Sequence, residues 1–157
     1  METTLVKRYL SWDEIQRLVE HLIRSYLRDI LFDAMLVITR GGMVPGCLIS
    51  EKIGLRNILV AAVVYYTDVD RTLDTPIFLQ FPTDTLLAGK RVLVVDDVWD
   101  SGRTIMAVKE RLNAVRCNYK VAVLHYKPGR SRYGDEMPDF HAEATDDWLV
   151  YPWDRER

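Results

Sequence analysis

The run Val92–Leu93–Val94–Val95, leading into Asp96–Asp97 and then Asp100–Ser101–Gly102–Arg103–Thr104, restricts the possible folds more than any other stretch of the chain. An unbroken apolar run rich in Val is the pattern of a strand covered on both faces, which belongs in a parallel sheet flanked by helices. Such strands deliver ligand-binding groups at their carboxyl ends, and this end carries two adjacent carboxylates. The turn that follows supplies a small residue, a glycine able to take positive φ, a cation and a hydroxyl, just where a helix is predicted to begin at Thr104. Backbone N–H groups at such a junction converge on an anion, and the helix dipole favours negative charge there.

The rest of the chain supplies the alternation that a parallel α/β sheet requires. Ser11 and Glu14 form a capping box, after which Ile15, Leu18, Val19, Leu22, Ile23, Tyr26 and Leu27 recur at helical spacing as one packing stripe. Met35 to Thr39 reads as a buried strand, Val44 to Ile53 as a helix stopped by Gly54, and Ile58 to Tyr66 as a second strand. Thr104 to Val115 reads as a helix with Ile105, Val108, Leu112 and Val115 on one side, and Val121 to Tyr126 as a further core strand. Between Thr67 and Lys90 lies a long connection without clear period, of the kind that forms a lid or a small hairpin, with Ile77 to Phe81 as a short edge strand. Pro128 to Pro138 is polar and basic and predicts a surface loop. Asp139 to Arg157 is aromatic with neither helical nor strand period, and such a tail is ordered only where it covers something.

Length and composition predict one domain over residues 1–157: 48% of the residues are hydrophobic and 28% charged, enough for one substantial core. A formal net charge of −2 gives no basic field of the kind that drives nucleic-acid binding. No apolar run approaches the roughly 20 residues of a membrane span, and no leader pattern precedes the first helix, so the chain reads as cytoplasmic. Cys47 and Cys117 lack metal-ligand spacing and read as structural. His21, His125 and His141 are scattered, and read as surface or satisfied core residues.

Vicinal hydroxyls for the paired acids and a phosphate for the glycine turn describe a ribose 5-phosphate. At this point the chain resembles a known family. The segment from Val92 to Thr104 is similar to the phosphoribosyl-diphosphate signature of type I phosphoribosyltransferases. Ile38–Thr39–Arg40–Gly41–Gly42–Met43–Val44–Pro45–Gly46 is similar to the pyrophosphate loop of the bacterial xanthine-guanine enzymes. Trp148–Leu149–Val150–Tyr151–Pro152–Trp153–Asp154 is similar to their purine-covering tail.

The resemblance implies a Rossmann-like parallel-sheet core with a flexible lid loop and a small C-terminal base-covering hood. It implies transfer of a 5-phosphoribosyl group from phosphoribosyl diphosphate to a 6-oxopurine: hypoxanthine, guanine or xanthine. It makes Asp100 the catalytic residue at the purine N7. Arg40, Gly41, Asp96, Asp97, Ser101, Gly102, Arg103 and Thr104 become the phosphoribosyl-diphosphate ligands, of which the Arg103 side chain varies most in the family. Lys127, Trp148 and Leu149 become the base contacts, through the 6-oxo group, ring stacking and a backbone carbonyl. Mg²⁺ is the implied cofactor, with Asp96, Asp97 and Asp154 near it. The implied partners are the two substrates and further copies of the chain in a homodimer or homotetramer, with neither nucleic acid nor membrane. A cis peptide is expected at Arg40–Gly41, and a lid rooted at Tyr65–Tyr66, where Tyr65 replaces the usual Ser.

Each motif also has a plainer reading. Asp100 to Thr104 alone is an ordinary capped turn, Lys127 a solvated strand end, and Trp148 and Trp153 core anchors. Paired aspartates after a strand also occur in receiver domains and phosphatases, but those leave Ser101–Gly102–Arg103–Thr104 unexplained. Two alternatives of function stand: a regulator that keeps the fold to sense phosphoribosyl diphosphate or a nucleotide, and a transferase for another nucleobase, such as a pyrimidine.

Overall fold

The computed structural model describes residues 6–66 and 75–155. In chain order they form β1 (Lys7–Tyr9), α1 (Trp12–Leu22) continued by a π-helical stretch (Ile23–Leu27), β2 (Ala34–Ile38), α2 (Met43–Ile53), β3 (Ile58–Tyr66) and β4 (Thr75–Gln80). The second half contains α3 (Asp84–Leu87), β5 (Arg91–Trp99), α4 (Arg103–Ala114), β6 (Asn118–Tyr126), β7 (Phe140–Ala144) and β8 (Trp148–Val150). The main sheet runs β4-β3-β2-β5-β6-β7, parallel throughout except for β4, and β1 pairs with β8 in a separate two-stranded parallel sheet.

Because strand side chains alternate, the central strands feed two apolar layers. Met35, Val37, Leu93 and Val95 face one layer, where Ile15, Val19 and Leu22 of α1 and Ile49 of α2 cover them. Leu36, Ile38, Val92 and Val94 face the other, under Ile105, Val108 and Leu112 of α4. Each such aliphatic side chain taken fully out of water contributes about 2 kcal/mol. This two-sided cover explains why β2 is buried along its whole length, and it places the loops after β2 and β5 side by side at the carboxyl edge.

The apolar stripe predicted through Leu27 is present, but its last turn is π-helical rather than α. β5 runs on through Asp96 and Asp97 to Trp99, because β6 continues to pair with it as far as Trp99 and Tyr126. Residues 75–90 of the long connection are ordered as β4, antiparallel to β3, and the single turn of α3. The part of the predicted lid from 67 to 74 lies outside the described residues. The tail expected to lack regular structure forms β7, paired in parallel with the preceding strand β6, and β8, paired in parallel with the distant β1.

The capping box at α1 is complete: the Ser11 hydroxyl accepts from Glu14 N–H at 3.2 Å and Glu14 accepts from Ser11 N–H at 3.0 Å. Ser11→Ala is expected to cost about 1 kcal/mol, read as a lower urea midpoint with an unchanged slope.

Candidate active site

Asp96 and Asp97 stand inside the end of β5, and each carboxylate folds back on its own strand. Asp97 N–H donates to Asp96 Oδ1 and Val98 N–H to Asp97 Oδ1, both at 2.8 Å. Here the facing pattern slips by one residue: Val95 and Val98 both pack on the α1 side, while Trp99 turns to the α4 side. Asp96 is buried, and burial together with the neighbouring Asp97 charge holds its carboxyl well above the usual range. Burial also raises Asp97, with the Asp154 charge adding to it. Burial and mutual repulsion make both acids harder to ionise, a cost that hydroxyl donors or a cation would offset.

The loop after β2 approaches this pair closely. A side chain at Gly41 would run into the Asp97 carboxylate, so glycine is what lets the backbone lie against it. The chain turns at once beyond β2, with Gly42 N–H donating to Ile38 O and Met43 N–H to Arg40 O. The cis peptide bond is Thr39–Arg40, one residue earlier than the Arg40–Gly41 bond expected from the sequence. Arg40 and Gly41 line an open cavity of about 1240 Å³ together with Asp96, Asp97 and Thr104.

The turn after β5 forms a smaller cavity of about 240 Å³, lined by Ser101, Gly102, Arg103 and Thr104 opposite the acids. Gly102 is the N-cap of α4 at φ 88°, with no side-chain cap on the helix. A Cβ there would also strike the Trp99 indole. Arg103 N–H donates to Ser101 Oγ at 3.3 Å. The Arg103 guanidinium lies 3.8 Å from the centre of the Tyr65 ring, and Tyr65 donates its hydroxyl proton to Arg103 O at 2.8 Å. Tyr65 thus packs on the phosphate-sized turn.

On the far side of Asp97, a third cavity of about 410 Å³ is lined by Asp100, Lys127, Trp148, Leu149 and Asp154. Asp100 is held by two cations: Arg130 Nε donates to Oδ1 at 2.5 Å, and Lys127 Nζ stands 3.5 Å from Oδ2. Lys127 is itself buried. Trp148 is half exposed, with Lys7 Nζ 5.5 Å over its ring, while Leu149 is buried beside it.

A model of the phosphoribosyl transferase domain matches residues 6–155. The chain belongs to the phosphoribosyltransferase family. It is 32% identical over 150 residues to a xanthine-guanine phosphoribosyltransferase of Idiomarina loihiensis, covering 93% of this chain and 86% of that protein. Among solved structures it resembles a purine phosphoribosyltransferase of Pyrococcus horikoshii, with a TM-score of 0.82, 29% identity and 96% of both chains covered. A Neisseria gonorrhoeae protein with bound ppGpp aligns with a TM-score of 0.79 at 28% identity, over 98% of this chain and 92% of that one.

For a phosphoribosyltransferase, the three adjoining cavities bring together every residue singled out in the sequence. Asp97 lines all three and Asp96 lines two of them, while Asp100, Lys127, Trp148 and Leu149 form one end. The trio Asp96, Asp97 and Asp154 is not gathered into a cage. Among the described residues no group of three or more His, Cys, Asp or Glu side chains is placed to hold a metal ion, and Asp154 Oδ2 accepts from Tyr151 N–H at 2.8 Å. Lys7 and Arg155, which also line the large cavity, carry no motif. Arg130 lies in a loop whose basic character was legible but whose direction was not. Tyr151 sits within the recognised tail, and only the folded chain shows that it reaches Asp97.

The raised acids predict a trade between site and stability. A folded carboxyl held above its ordinary value of 3.8 binds more protons than the unfolded chain does, so stability falls as pH rises through that window. Asp96→Asn is expected to raise the melting temperature of the unliganded protein at pH 7 and to flatten that fall, as scanning calorimetry across pH 4 to 7 would record.

Proposed function

We propose that this phosphoribosyltransferase transfers the 5-phosphoribosyl group of phosphoribosyl diphosphate to a 6-oxopurine, giving the nucleoside 5-monophosphate and pyrophosphate. The observation that carries the reading is the cavity in which Asp100 and the buried Lys127 face Trp148, directly beside the acid pair. Relatives named for xanthine, guanine and purine substrates support it, and so does the likeness to a protein with bound ppGpp, a guanine nucleotide.

In this reading the uncapped start of α4 and the Ser101 and Thr104 hydroxyls hold the 5-phosphate, since open N–H groups and the helix dipole favour an anion. Asp96 and Asp97 accept from the ribose hydroxyls. Arg40, with its two-pronged guanidinium, and the backbone at Gly41 receive the pyrophosphate. Trp148 stacks on the purine, the Leu149 carbonyl faces its 2-position, and Lys127 donates to the 6-oxo oxygen. An adenine would bring an amino donor to that place, and two donors facing one another in a buried site are strongly rejected. As the bond from the base to the anomeric carbon forms and the bond to pyrophosphate breaks, the purine loses a proton, and Asp100 is the carboxylate placed to take it from N7. Asp100 enters that role from its pairing with Arg130 and Lys127, so an incoming base competes for those donors.

Mg²⁺ suits the site. The donors are hard carboxylate oxygens, too few for a protein cage, which matches a cation that keeps several waters and is held partly by substrate phosphates. Asp96 and Asp97 would hold it with Asp154 close by, and its charge would offset that of the leaving pyrophosphate.

Pyrophosphate release, followed with phosphoribosyl diphosphate, magnesium and a panel of bases, tests the reading. Hypoxanthine, guanine or xanthine is expected to support turnover. Release with adenine or uracil alone, or with no base, would overturn it. Asp100→Asn is expected to lower kcat by about 10²-fold or more, with little change in sugar-phosphate affinity. Lys127→Ala removes a charged donor to the base and is expected to weaken kcat/KM for the 6-oxopurine by about 10–100-fold, measured in the same assay.

A further inference from the structure

Beneath the base-side cavity, one polar chain crosses an otherwise apolar layer, and none of the steps above uses it. His125 of β6 is fully buried. Its Nδ1 lies 2.8 Å from the Tyr151 hydroxyl, which donates to the backbone carbonyl of Asp97 at 3.2 Å. On its other side, His125 Nε2 stands 3.5 Å from Glu143 Oε2 of β7 without a hydrogen bond. Glu143 is gripped in turn by both terminal nitrogens of Arg8 from β1, at 2.6 and 3.2 Å.

Proton counting fixes how this chain is wired. The Tyr151 hydroxyl has one hydrogen, and it points to Asp97 O. The tautomer that completes this pairing carries its hydrogen on Nδ1, which then donates a hydrogen bond to the Tyr151 oxygen. Burial pushes the His125 pKa down to about 4, so the ring is neutral and Nε2 is left as a bare lone pair. That explains why Nε2 and the Glu143 carboxylate, two acceptors, make no bond. Burying an imidazole and a phenol costs about 1–3 kcal/mol for each polar group left unsatisfied, and Leu and Phe would fill the same space without that cost. The polar pair therefore serves something other than packing.

Tyr151 shows what it serves. Its ring stacks on Trp153 at 4.7 Å and 8°, and its N–H holds Asp154. It belongs to the segment that carries Trp148 and Leu149, while its hydroxyl is anchored on the strand end that carries the Asp97 carboxylate. We infer that Tyr151, oriented by His125, is a positioning residue that sets the spacing between the base-covering segment and the acid pair, and so holds the purine over the anomeric carbon of the sugar. The inference rests on the reading of Trp148 and Leu149 as base contacts. Misplacement of reacting groups by as little as about 1 Å can cost on the order of 10²-fold in rate, so one hydroxyl at this joint has leverage.

Tyr151→Phe keeps the ring on Trp153 and removes only the hydroxyl. It is expected to lower kcat/KM for the base by about tenfold or more, while the Kd for phosphoribosyl diphosphate, titrated calorimetrically with magnesium and no base, stays within about twofold. His125→Asn, whose amide places an N–H near that of Nδ1, is expected to retain activity, and His125→Leu to match Tyr151→Phe. A Tyr151→Phe enzyme with a loss of less than about fivefold would overturn the inference. So would one whose sugar-diphosphate affinity falls by the same factor as its base efficiency, which marks general loosening. Should His125→Leu fail to fold, Tyr151→Phe decides alone. A wild-type protein inactive with every base would overturn the functional reading itself, a result distinct from an active wild type matched by an active Tyr151→Phe.

Discussion

Two carboxylates one residue apart, at the buried end of β5, govern the arrangement of this protein. Left to themselves they repel and resist ionisation, and the fold supplies no lysine or arginine to neutralise either at hydrogen-bond distance among the described contacts. What it supplies is access. The loop after β2 comes in as bare glycine backbone, the turn after β5 opens onto an uncapped helix start, and Asp100 with its two cations closes the base side. Each of these features gains its meaning from a ligand that brings hydroxyls to the acids and phosphates to the N–H groups. The unliganded chain holds a tension that such a ligand relieves.

The central architecture was legible because its signals are local. Val92 to Val95 could only be a strand with both faces covered, and the helical spacing from Ile15 onward could only be a packing face. The acid pair and the glycine turn were legible for the same reason, since their chemistry lies in adjacent residues. What escaped the sequence depends on distant partners. β5 extends past its apolar run only because β6 keeps pairing with it. β8 is three residues long and exists because Lys7–Tyr9 lies alongside. The edge strand read at Ile77 to Phe81 is present as β4, Thr75–Gln80, and what the sequence did not give is its antiparallel pairing with β3.

The same division holds within the site. Lys127 and Asp100 were recognisable one at a time, but Asp100 pairs with both Lys127 and Arg130, the latter 30 residues further along the chain. His125 read as either a surface or a satisfied core histidine, and it is buried. What its position alone could not reveal is that it hydrogen-bonds Tyr151, because that contact needs β6 and the C-terminal segment folded together. The cis bond lies at Thr39–Arg40, one residue before its expected place, in a turn that Gly42 N–H closes onto Ile38 O.

Trp99 gives the site a common footing. Its indole lies under Gly102 of the phosphate turn and donates to Ser131 at 3.1 Å, and Ser131 follows Arg130 in the loop that reaches Asp100. Arg132 N–H ties the same loop to Ser101 O at 3.0 Å. The ends of the site that would grip a phosphate and a nucleobase are therefore mounted on one rigid plate rather than on independent arms. A disturbance at that plate would be felt as a loss of alignment between two substrates, before it weakened the hold on either.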